Sequence, residues 1–132
     1  MNDHDHSRLA AELRIDAYGM LCAEAAAEIL IGHRSWLRRD DFIDGFIRSG
    51  WDLASDTPMA YLDWPAAVTA INTATLACSS SEAQILRIAA SIAEGIPVDL
   101  QENLTSLDSH NTNLVTRAVI HAAGHRRQPN LG

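Results

Sequence analysis

"DDFIDGFIRSGW", residues 40–51, is the stretch on which the fold turns. Phe42, Ile43, Phe46 and Ile47 recur at i, i+1, i+4 and i+5, the spacing that gathers apolar side chains on one face of a helix. Asp40 and Asp41 stand just ahead of them, where negative charge suits the positive end of the helix dipole. "SDTP", residues 55–58, then reads as a break. As a helix, this segment makes the whole chain helical, because its neighbours on both sides carry the same period.

Upstream, Ser7 to Ile31 predicts one long helix. Leu9, Leu13, Ala17, Met20, Leu21, Ile29, Leu30 and Ile31 are apolar, while Arg8, Glu12, Asp16, Glu24 and Glu28 fall mostly four residues apart as one drifting polar stripe. Gly32 occupies the place of a C-terminal glycine. Downstream, Asp63 or Trp64 caps a helix with Pro65 in its first turn, where a missing N–H does no harm. Ser79 and Glu82 form an S-x-x-E capping box that opens a helix running to Glu94, and Gly95 and Pro97 end it. Asp99 with Glu102 caps a short helix, and Asp108 or Ser109 opens a last one ending at Gly124. "AVTAINTATLAC", residues 67–78, is the one stretch with a weak strand character. The expected fold is all-α: a single compact domain of five or six helices with a long N-terminal helix, spanning 7–124, with residues 1–6 and 125–132 as flexible tails.

At 132 residues and 47% hydrophobic, the chain matches one domain that buries a core without staples. Cys22 and Cys78 lie far apart and read as reduced thiols. The first residues, "MNDHDHSRLAAELR", are acidic where a secretory signal is basic, so a cytoplasmic location is expected. The most apolar window, 17–31, is broken by two glutamates and falls short of the ~20 residues that span a bilayer, so no membrane partner is expected.

Seventeen acidic residues oppose ten basic ones, giving a formal charge of -7, and every basic residue is arginine. Without lysine there is no Schiff-base chemistry and no P-loop lysine. HExxH, GxSxG, CxxC and GxGxxG are absent as well. No catalytic residue, cofactor or metal is assigned from the sequence, and the balance leans against an enzyme.

"IAASIAEGIPVDLQENL", residues 88–104, has the helix–turn–helix layout of a DNA reader. Gln101, Asn103, Thr105 and Ser106 suit base edges, but Glu82, Glu94, Asp99, Glu102 and Asp108 outnumber Arg87, which disfavours a polyanion. A DNA-associated regulator would rely instead on Arg34, Arg38, Arg39, Arg126 and Arg127. Asp3 to His6, "DHDH", and His121 with His125 carry metal-ligand chemistry without preorganised geometry. Glu24 and Glu28 share a helix face, yet the Glu-x-x-His partner of a di-iron bundle is missing, so they read as the wet edge of the first helix.

Three features point to binding. A first helix apolar around most of its circumference must be covered on several sides, which suggests a homodimer through Leu9, Leu13, Met20 and Leu21. An acidic surface of Asp40, Asp41, Asp44, Asp52 and Asp56 would suit a basic protein partner. A pocket lined by Trp36, Trp51 and Trp64 would take a small apolar molecule. The leading expectation is a small acidic interaction or regulatory module without chemistry of its own.

Overall fold

The computed structural model describes residues 3–125. In chain order these form α1 (Asp3–Ala17), α2 (Leu21–His33), a 3-10 turn (Trp36–Arg38), α3 (Asp40–Phe46), β1 (Ile47–Asp52), β2 (Thr57–Leu62), α4 (Trp64–Asn72), α5 (Ser80–Glu94), α6 (Leu100–Leu104) and α7 (Ser109–Ala122). The fold is mostly helical but not all-α.

The correction falls on the deciding stretch. The helical pattern holds through Phe46 and then stops, with Ile47 already extended. β1 and β2 pair antiparallel from Ile47 opposite Leu62 to Asp52 opposite Thr57. Residues 53–56 close the hairpin: the Asp52 carboxylate accepts the Ser55 N–H at 3.0 Å, and Asp56 takes a positive φ. Ser49 and Gly50 are poor helix formers, whereas Trp51, Thr57 and Tyr61 suit a pleated surface. A two-stranded hairpin is marginal alone in water. Here α1 packs against β2 and covers Ala60 and Leu62, which join Leu9 and Leu13 in the core.

The long N-terminal helix is also two helices. Gly19 takes φ +89, a conformation open to glycine and strained for other residues, and turns the chain back between Ala17 and Leu21. Arg14 Nε and Nη2 consequently donate to Glu28 Oε2 and Oε1 at 2.8 and 2.9 Å. In an unbroken helix those residues would stand ~21 Å apart. Gly32 is not the terminator either: α2 runs through His33, and Arg34 takes the positive φ that ends it. A Cβ at Gly32 would collide with Leu114, so this glycine serves the close approach of α7 to α2.

The weak strand candidate at 67–78 is the second half of α4 followed by a turn, in which the Thr75 and Leu76 N–H groups both donate to Ala70 O. The remaining caps sit where their sequence signals place them. The Asp63, Ser79, Asp99 and Asp108 side chains accept from the N–H groups of Ala66, Glu82, Glu102 and Asn111. At the centre, Trp36, Phe42, Ile29, Leu30, Leu37, Ile85 and Leu86 are fully buried, and the Trp36 and Phe42 rings lie 4.8 Å apart.

Candidate interaction surface

α2 and α7 run antiparallel. Glu24 meets His121 at one end, and Gly32 O meets His110 Nε2 at 3.2 Å at the other. The Glu24 carboxylate is a junction: Oε2 accepts the Gly19 N–H at 3.0 Å, and Oε1 lies 2.8 Å from His121 Nε2. One side chain therefore fixes the α1–α2 turn and the end of α7 together. The hydrogen bond to His121, then that from Gly19, holds Glu24 below the usual glutamate value.

Around this pair the surface is hollowed. One depression of about 340 Å3 includes Arg14, Tyr18, Glu24, Glu28 and His121 in its lining. A neighbour of about 330 Å3 shares Arg14, Glu28 and His121 and adds Arg117 and Leu114. A wider cleft beyond it has Leu21, Arg117, Ile120 and His121 in its wall. The same corner bares large apolar side chains: Tyr18 is 84% exposed, Met20 56%, Leu21 45% and Ile120 41%. Leu21 and Ile120 line the wide cleft and Tyr18 the smaller depression, so His121 has exposed apolar side chains beside it in both of these hollows, and apolar surface set around polar groups is characteristic of a contact surface.

The residues singled out from sequence distribute unevenly around this corner. Of the four proposed dimer contacts, Met20 and Leu21 lie on it, while Leu9 and Leu13 are buried in the chain's own core. The acidic set does not form one free surface. Asp41 is bound by Arg39 at 2.6 and 3.0 Å, Asp52 by Ser55, and Asp56 accepts Trp51 Nε1–H at 3.2 Å; Asp40, Asp41, Asp44 and Asp56 are exposed, Asp52 partly so, and they divide between α3 and the hairpin. Arg39, first through its hydrogen bonds to Asp41, keeps that carboxyl below the ordinary aspartate value.

The three tryptophans are not brought together. Trp36 is in the core and donates from Nε1 to Glu82 O, Trp51 stands exposed on the hairpin, and Trp64 begins α4 beside a void of about 40 Å3. Of the arginines proposed to meet DNA, Arg39 is engaged by Asp41 and Glu82 and stacks over Trp36 at 4.8 Å. Arg34 ends α2, Arg38 ends the 3-10 turn, and Arg126 and Arg127 lie outside the described residues, as does most of the proposed 125–132 tail. α6, the element that would read bases, has five residues.

Asp3 to His6 form the first turn of α1, with His6 buried. His125 lies beyond Gly124, whose positive φ follows the end of α7, and it lines the same wide cleft as His121. No group of three metal-ligating side chains occurs among the described residues. Nor does any described helix have the length and apolarity to cross a membrane.

Glu24 and Glu28 do stand at the wet edge of their helix, and each is also a link between helices. Glu24 is 97 residues from His121, so no local spacing announces the pair. Compared with protein-family models, curated proteins and solved structures, the chain matches none.

Proposed function

We propose that this protein is a non-catalytic protein-interaction module that self-associates through the corner built by the α1–α2 turn and the end of α7. The supporting observation is the exposed set Tyr18, Met20, Leu21 and Ile120 gathered about the Glu24–His121 pair. Charge favours a second copy as the occupant. The whole chain carries -7, so two copies repel, yet Arg14 and Arg117 offset Glu24 and Glu28 to a formal zero here. A patch of balanced sign also lacks the like-charge repulsion that would oppose its apposition to a copy of itself across a two-fold axis.

Among the described residues, no serine, threonine or cysteine lines the three depressions around His121. Cys78 stands elsewhere, and desolvation by its surroundings pushes the thiol up and away from the reactive thiolate. Cys22 and Cys78 are both free and exposed, which fits the reducing cytoplasm as the place of action.

Sedimentation velocity tests the reading. The wild type is expected to be dimeric and Leu21→Glu monomeric with an unchanged circular-dichroism spectrum. A monomeric wild type at concentrations on the order of 100 μM would sink self-association.

A further inference from the structure

A separate recess opens where the chain leaves α5, and it shares no described lining residue with the His121 corner. It encloses about 250 Å3 between α4, α5 and the 96–103 segment. Val68, Ile96, Pro97 and Val98 make one wall apolar, and the rest is polar: Arg87, Asn72, Asp99, Glu102 and Asn103.

The polar groups are only partly used by the chain. Arg87 donates from Nε and Nη2 to Asn72 Oδ1 at 3.2 and 3.0 Å, and among the described residues it forms no ion pair. Asp99 uses Oδ1 to accept the Glu102 N–H at 3.1 Å. Asn103 is 3% exposed; its Nδ2 donates to Asp99 O at 2.8 Å, while its Oδ1 has no donor. A buried acceptor left in this state is costly, and here it is closed off from solvent behind the wall of the recess.

Opposite charges thus line one recess without closing on each other. A simple anion entering it would meet Asp99 and Glu102, and a simple cation would meet Arg87. A small molecule carrying both signs answers both, and the volume, below the ~300–1,000 Å3 of drug-sized sites, sets its scale. We propose that this recess binds a free α-amino acid with an aliphatic side chain. Its carboxylate meets the Arg87 guanidinium, its ammonium meets the carboxylates of Asp99 and Glu102, and its side chain lies on the apolar wall.

Titration of the 15N-labelled protein with leucine, followed by NMR, tests this. Saturable shifts are expected at the amides of 96–103, with affinity in the millimolar range or tighter. 4-Methyl-2-oxopentanoate, which lacks the ammonium, and isoamylamine, which lacks the carboxylate, should each bind about tenfold more weakly, the loss expected for one charge-assisted contact. Glu102→Gln, at an exposed position, should leave the spectrum folded while narrowing the preference for leucine over the oxo acid. Failure of leucine to give saturable shifts at 96–103 by about 20 mM overturns the proposal. Equal binding of leucine and the two analogues overturns it as well.

Discussion

Gly32 and Leu114 show how much one hydrogen atom can decide. The Gly32 Cα faces the Leu114 side chain with no room for a Cβ. Gly32→Val should therefore cost about 1–3 kcal/mol, the usual range for overpacking, measured as a lowered urea midpoint. Leu114→Ala in the same chain should return part of that loss, because it vacates the space. Ser79 makes a smaller, cleaner test. Its side chain accepts the Glu82 N–H at 3.1 Å while Glu82 Oε1 accepts the Ser79 N–H at 3.0 Å. Ser79→Ala should lower stability by about 1 kcal/mol, read by thermal denaturation. This cap was legible in the sequence because it is complete within four residues. The contact at Gly32 was not, since its partner lies in the last helix and a glycine near a helix end reads first as a terminator.

At the scale of elements, two decisions separate this fold from a simple bundle, and both are made by residues weak in the helical state. Gly19 breaks a run whose apolar pattern would carry a helix from Ser7 to Ile31. Gly19→Ala should destabilise by about 1 kcal/mol through its positive φ, with the loss visible in a thermal melt. The second decision follows Phe46. The hydrophobic period of 42–47 is helical, and the chain obeys it until Ile47, where pairing with Leu62 competes and wins. Period-two alternation is faint in β1 and β2 because α1, the element that gives β2 a buried side, comes from a segment about fifty residues earlier. The α5, α6 and α7 boundaries were readable for the opposite reason: Ser79, Asp99 and Asp108 each act within one turn.

For the whole molecule, charge ties stability to pH in two stages. Burial, opposed by Glu82 and Asp108, holds His33 below its ordinary value of 6.5. The unfolded chain then binds that proton first, so the stability tied to neutral His33 is full above pH 6.5 and drains as pH falls through the native value. Glu24 and Glu82 are likewise held below the ordinary 4.5. For Glu82, burial works upward but loses to the Ser35 hydroxyl at 2.6 Å, the Ser79 N–H and Arg39. Their contribution is complete above pH 4.5 and is lost as pH drops through the lower native values. Urea midpoints from pH 8 to 3 should fall in two steps. His33→Gln is expected to remove the first step and leave the second; an unaltered first step would refute the assignment.

The backing of β2 by α1 reaches beyond the folded state. Two six-residue strands leave open backbone edges, and β1 and β2 carry Trp51, Met59, Tyr61 and Leu62 between them. Without α1, Ala60 and Leu62 would be bare and the ribbon would become a template for strands of other molecules. The N-terminal helix thus acts as an intramolecular chaperone for the hairpin. A chain shortened to begin at Gly19 should form thioflavin-binding aggregates at concentrations where the intact protein stays clear.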